Sequence, residues 1–136
     1  MIITKMLQCH VPQIAELEKV SSNNNGLHFQ IAINYGSRDE MRRAITALAK
    51  DCVEGKVNPD DISEAMFDSY LDTHDIPDPD LMIRTSGELR LSNYLLWQLA
   101  YSEFYFTDTL WPDMTHADID MAVEAFYNRQ RRYGKV

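Results

Sequence analysis

The chain has 136 residues with 13 basic and 21 acidic side chains, a formal charge of −8. That length fits a single domain, 1–136, and 45% apolar residues spread along it are enough to fill one core and exclude a disordered tail. The acidic balance argues against nucleic acid as the partner, no apolar run approaches the ~20 residues of a membrane span, and residues 1–5 lack the features of a signal peptide. Cys9 and Cys52 have no metal-type spacing and suit a reducing cytoplasm.

Ile14, Leu17 and Val20 hint at a short amphipathic helix, which the turn formers of 21–26 break. Leu27, Phe29, Ile31 and Ile33 then alternate with His28, Gln30 and Ala32, the period of a strand. Ser37 with Glu40 predicts a capping box. It opens a helix with Met41, Ala44, Ile45, Leu48, Ala49 and Cys52 at helical spacing, stopped by Gly55. Asp61 with Glu64 predicts a second cap, ahead of a helix turning Ile62, Met66 and Phe67 or Tyr70 inward.

Pro77 and Pro79 exclude a helix from 75–80. Residues 81–83 read as a short buried strand, and Ser92 or Asn93 as the start of a helix through Leu95, Leu96, Leu99 and Ala100. Residues 104–106 are β-prone, and Trp111-Pro112-Asp113 ends that segment. Thr115 with Asp118 caps a last helix with Ile119, Ala122, Val123, Phe126 and Tyr127 on one face. Strands alternating with helices give an α/β fold, a mostly parallel sheet flanked by helices. The polar loops at 34–38 and 84–92 both follow strands, the edge where open α/β sheets bind ligands.

The segment 84–92, Arg-Thr-Ser-Gly-Glu-Leu-Arg-Leu-Ser, is the sharpest chemical feature. Arginine forks and hydroxyls between a strand end and a helix start suit a cluster of anionic oxygens. The same Arg84 and Arg90 could equally pair with surface carboxylates. Glu103 continues the apolar row of Leu95 and Leu99 on the expected helix, so its carboxylate must be paired, protonated or bound to a cation such as Mg²⁺; an arginine partner or a solvated helix end is the plainer alternative. Arg129, Arg131, Arg132 and Lys135 put four basic residues in the last eight, either an anion-binding arm or basic groups suited to a helix C-terminus. The four histidines are too scattered for a zinc site. The aromatic residues from Tyr94 to Phe106 read as core or a subunit interface. No phosphate-loop, dinucleotide or hydrolase motif is present.

Asn34-Tyr-Gly-Ser-Arg38, the run 80–88, Arg90-Leu-Ser-Asn93, Leu96-Trp-Gln98, Ala100-Tyr-Ser-Glu103 and Trp111-Pro-Asp113 together resemble the cis-prenyltransferases, most of all the bacterial undecaprenyl diphosphate synthases, over 26–134. The resemblance implies a partial fold of that family and repeated condensation of isopentenyl diphosphate with an allylic diphosphate, usually farnesyl diphosphate. The cis-polyprenyl diphosphate so made is the lipid carrier for cell-wall sugars. It also implies that Arg84, Arg90 and Ser92 hold the isopentenyl diphosphate group and that Glu103 helps bind Mg²⁺. Arg132 and Gly134 match an Arg-x-Gly that reaches the partner subunit's diphosphate site, and Asn34 to Arg38 match a cleft-edge motif. A homodimer is implied, cytoplasmic and peripheral to the inner face of the membrane through its lipid product.

Two motifs of the family are absent from the 136 residues: His-Asp-Gly-Asn-Gly-Arg-Trp, which supplies the catalytic aspartate and a phosphate-cradling loop, and Phe-Ser-x-Glu-Asn-Trp. The likeness is therefore to the carboxyl-terminal half, and it assigns no catalytic residue here. Leu89 stands where some members have a metal-site histidine. The expectation is an enzyme fragment inactive alone; a non-catalytic partner subunit of a heteromeric enzyme is the alternative, and the retained isopentenyl-site residues weigh against it.

Overall fold

Helix α1 (Val11–Ser21) opens the part of the chain that the computed structural model describes, residues 11–129. The chain divides into two compact units, Met1–Asp72 and Thr73–Val136.

In the first unit α1 is followed by α2 (Ser37–Val53), a 3-10 turn over Pro59–Asp61 and the short α3 (Glu64–Asp68), which packs on α2. The buried face of α2 is Ser37, Glu40, Ala44 and Leu48, a row at helical spacing, and Leu71 is buried beyond α3. The capping box expected at Ser37 and Glu40 is not what starts α2. Gly36 is the N-cap, without a side-chain cap bond. The fully buried Glu40 carboxylate instead accepts from the Tyr35 hydroxyl and, at 2.9 Å, from the Asp72 N–H. A buried carboxylate needs such donors, and those two tie α2 to the chain on either side of it.

Arg43 grips Asp72 with two bonds, Nη1–Oδ1 at 2.9 Å and Nη2–Oδ2 at 2.5 Å, and also reaches Asp39 at 3.0 Å. The guanidinium holds the Asp72 carboxyl below its ordinary pKa. The cap expected from Asp61 and Glu64 is not formed: Asp61 ends a 3-10 turn capped by Asn58, and the Ser63 hydroxyl, two residues on, caps α3, accepting from Met66 N–H at 3.2 Å.

The strand expected at 27–33 does not form. These residues run exposed, and no ladder bond joins them to any described residue. Alternation predicts which face a strand would bury, but a strand exists only through a partner.

In the second unit the proline-bearing stretch 75–80 is irregular, as its sequence requires. It leads into β1 (Leu81–Arg84), which pairs in parallel with β2 (Glu103–Phe106) in the register Leu81 to Glu103 and Arg84 to Phe106. The parallel sheet and flanking helices accord with the expected α/β class. Helix α4 (His116–Tyr127) packs on β2 and buries Ala122 completely. Its expected cap is present in full: the Thr115 hydroxyl takes the Asp118 N–H while the Asp118 carboxylate takes the Thr115 N–H at 2.8 Å.

The helix expected from Ser92 is not formed. Ser92, Asn93 and Leu95 have φ of 52°, 62° and 44°, a left-handed backbone that no right-handed helix can contain. Residues 92–101 are a chain of turns, with Leu99 and Gln98 buried and Gln98 Nε2 donating to Thr73 Oγ1 at 2.9 Å. Among the described residues no helix is long and apolar enough to cross a membrane.

Candidate functional site

The site is built where β1 ends. Leu81, Met82 and Ile83 drive a short strand into the second unit, and its last residue is Arg84. The pairing continues past the strands: Thr107 N–H donates to Arg84 O, Gly87 N–H to Thr107 O and Ser86 N–H to Thr109 O, each at 2.9 Å. The loop after β1 is thus sewn to the loop after β2. Ser86 and Gly87 are both left-handed, with φ of 68° and 65°. A Cβ on Gly87 would stand 3.0 Å from Asp108 Oδ1, which the Asp108 side chain could relieve by a small shift, so it is the left-handed backbone that favours glycine here. Sequence reasoning passed over this clamp; the Ser-Gly pair was its only visible sign.

Arg84 Nη2 donates to Ser92 Oγ at 3.4 Å, a long bond. Its Nε is buried and has no hydrogen-bond partner among the described residues. A buried cationic donor left unpaired costs about 1–3 kcal/mol, so the position is suited to an acceptor with spare oxygens. The left-handed Ser92 and Asn93 turn the chain there and present the hydroxyl to Arg84. Arg90, in the same loop, pairs with Glu88 and is largely exposed. An exposed ion pair contributes little, so Arg90 can exchange Glu88 for another anion at small cost.

Glu103 lies elsewhere. It is the first residue of β2 rather than part of a helix, and its N–H donates to Asp80 O at 2.9 Å. Its Oε2 accepts from Arg129 Nη1 at 2.8 Å, so the arginine partner weighed from sequence is present. The register sets Glu103 beside Leu81, three residues back from Arg84, about 10 Å along the strand. Arg84 and Ser92 are therefore brought together, Arg90 shares their loop, and Glu103 belongs to the opposite end of the strand pair. Among the described residues no three acidic, histidine or cysteine side chains gather to hold a metal. A magnesium ion takes one or two carboxylates and fills its shell with water and phosphate oxygens. Glu103 is a single carboxylate, and here its Oε2 is taken by Arg129.

Asn34 and Arg38, expected at a cleft edge, are in the first unit. Asn34 is exposed and left-handed at φ 54°, and Arg38 is exposed in the first turn of α2. Arg132 and Gly134 lie outside the described residues.

The sequence profile of a family described as putative undecaprenyl diphosphate synthase matches residues 3–134. Isoprenyl transferase from Brucella abortus biovar 1 (strain 9-941) is 54% identical over 121 residues, 89% of this chain and 48% of that protein. Isoprenyl transferase from Bacillus thuringiensis subsp. konkukian (strain 97-27) is 53% identical over 116 residues, 85% of this chain and 45% of that protein. Lavandulyl diphosphate synthase from Lavandula x intermedia, solved in complex with dimethylallyl diphosphate, superposes with a TM-score of 0.87 at 42% identity over 91% of this chain and 53% of that one. A probable undecaprenyl diphosphate synthase from Campylobacter jejuni gives 0.77 at 34% identity over 98% of this chain and 58% of that one. The chain spans about half the length of the curated relatives it matches. With the family's profile matched from residue 3 to residue 134, this chain belongs to the cis-prenyltransferase family, the one described as putative undecaprenyl diphosphate synthase.

Proposed function

We propose that this chain contributes the isopentenyl diphosphate side of a cis-prenyl transfer and does not complete the reaction alone. The observation that carries the reading is the buried Nε of Arg84, without a hydrogen-bond partner among the described residues, beside the hydroxyl of Ser92. A diphosphate supplies the several acceptor oxygens that such a fork of donors lacks. Arg90 joins by leaving Glu88, and the clamp of 85–87 on 107–109 keeps the loop in place for binding.

In the reaction proposed for the whole protein, the double bond of isopentenyl diphosphate bonds to the first carbon of an allylic diphosphate such as farnesyl diphosphate. The carbon–oxygen bond of that allylic group breaks, its diphosphate leaves, and a proton lost from the isopentenyl unit restores a double bond, here cis. Repetition gives a polyprenyl diphosphate such as undecaprenyl diphosphate, a carrier lipid for cell-wall sugars. When bound, Mg²⁺ supplies positive charge for the diphosphate oxygens, and Glu103 is the side chain here that would contribute to holding it. The arginines hold and orient one substrate; orientation of the second requires residues that this sequence does not resemble.

The same reading makes the working protein a homodimer in the cytoplasm, touching the inner face of the membrane through its lipid product. Arg132 and Gly134 would serve the neighbouring subunit's diphosphate site, and Asn34 and Arg38 the rim of the cleft. The test is equilibrium binding of radiolabelled isopentenyl diphosphate to the chain. Saturable binding, displaced by inorganic pyrophosphate and lost in Arg84→Ala, is expected. Binding that Arg84→Ala leaves unchanged would put the site elsewhere.

A further inference from the structure

Thr107 follows β2 directly, and each of its polar groups is engaged. Its N–H donates to Arg84 O and its carbonyl accepts from Gly87 N–H, both at 2.9 Å. Its hydroxyl accepts from Thr109 N–H at 3.2 Å and donates to Thr109 Oγ1 at 3.1 Å. Thr109 in turn offers its carbonyl to Ser86 N–H at 2.9 Å. The two carbonyls that grip the loop after β1 are therefore set relative to one another by a single side chain. Thr109 lies three residues past the end of β2, beyond the reach of the strand ladder, so its placement needs a local device. A threonine hydroxyl bonded to the N–H two residues on is such a device, and it shapes a turn by itself. Both hydroxyl bonds are part-buried, where water competes with them less.

The gripped side has need of it. Ser86 and Gly87 are left-handed at φ of 68° and 65°, a backbone that a residue with a side chain, as Ser86 is, keeps only when its surroundings hold it. The reversal they make belongs to the loop that returns Ser92 to Arg84, where Nη2 donates to Ser92 Oγ at 3.4 Å. The geometry points to Thr107 as a positioning residue: its hydroxyl fixes the turn 107–109, that turn fixes 85–87, and the loop 84–92 keeps the shape proposed to bind diphosphate. Thr107 acts here through the loop and not by contact with a ligand. Its effect on affinity rests on the reading of Arg84 as a diphosphate ligand; its grip on the loop does not.

The test compares the chain with two variants. Thr107→Val keeps the branched shape and removes the hydroxyl, whereas Thr107→Ser keeps the hydroxyl. Amide hydrogen exchange at Ser86 and Gly87, and equilibrium binding of radiolabelled isopentenyl diphosphate, are measured on all three. In Thr107→Val, exchange at both amides should quicken and the dissociation constant should rise, each by about three- to tenfold, as the loss of a hydrogen bond or two implies. The Glu103 amide, which donates to Asp80 O at the far end of the strand pair, should exchange as before. Thr107→Ser should restore both quantities. Unchanged exchange at Ser86 and Gly87 in Thr107→Val overturns the proposal, and so does quickened exchange with unchanged affinity. Quickening that spreads to Glu103 also overturns it, because the hydroxyl would then support the strand pair as a whole rather than the loop. If the unsubstituted chain binds no isopentenyl diphosphate, the reading of Arg84 fails and the effect of Thr107 on affinity fails with it. Exchange at Ser86 and Gly87 still decides the grip in that case, so the two failures are told apart.

Discussion

Arg90 and Glu103 are both paired in the structure, but the two pairs answer to different tests. Arg90→Ala should weaken binding of isopentenyl diphosphate by about 1.5–3 kcal/mol, the range for a hydrogen bond to a charged group, with the melting temperature unchanged because its pair with Glu88 is exposed. Calorimetric titration checks both parts. Glu103→Gln removes the partner of Arg129, a part-exposed pair, so stability should fall by no more than about 1 kcal/mol. In a full-length enzyme with this residue, activity should fall and recover in part at high Mg²⁺, since the amide keeps the shape and loses the charge. Normal magnesium dependence would leave Glu103 only its pairing with Arg129. The sequence made the Arg84–Ser92 neighbourhood legible because both ends lie in one loop. It misread Glu40 as a cap, since spacing alone does not show that a carboxylate is buried and takes its donors from Tyr35 and Asp72.

Helix α4 is the element whose sequence and structure agree most closely, and its cap makes a pH prediction. The Thr115 hydroxyl, and then the Thr115 N–H, hold the Asp118 carboxyl below its ordinary value. A lowered folded-state pKa contributes stability that is present above the unfolded value, near 3.9, and is lost as pH falls through the folded value. Asp118→Asn should therefore destabilise the chain at pH 6 and lose its effect as the pH drops well below about 4. Thr115→Ala should cost about 1 kcal/mol, as N-cap losses do. Thermal melts at several pH values test both. The elements that were legible are those closed by nearby sequence: β1 and β2 find each other within the second unit, and α4 carries its own cap. The strand at 27–33 was not, because no described residue pairs with it. The helix at 92 failed for another reason: the apolar spacing of Leu95 and Leu99 says nothing about left-handed backbone at Ser92, Asn93 and Leu95.

For the whole molecule the governing fact is that the chain matches about half the length of its relatives. Exposed Tyr94, Tyr101 and Phe106, together with the uncovered residues of the first unit, leave much apolar surface, so the chain should associate at micromolar concentration. Light scattering would show it, and a clean monomer would count against it. The central claim is the proposed affinity without turnover: Arg84, Arg90 and Ser92 are proposed to hold one diphosphate, and effective molarity collapses when the second substrate is not held beside the first. The deciding measurement is incubation of the chain, purified free of host synthase, with radiolabelled isopentenyl diphosphate, farnesyl diphosphate and Mg²⁺, followed by butanol extraction. The account predicts no extractable label above a no-protein control, whereas extractable polyprenyl product would contradict it and place a complete catalytic set within these 136 residues.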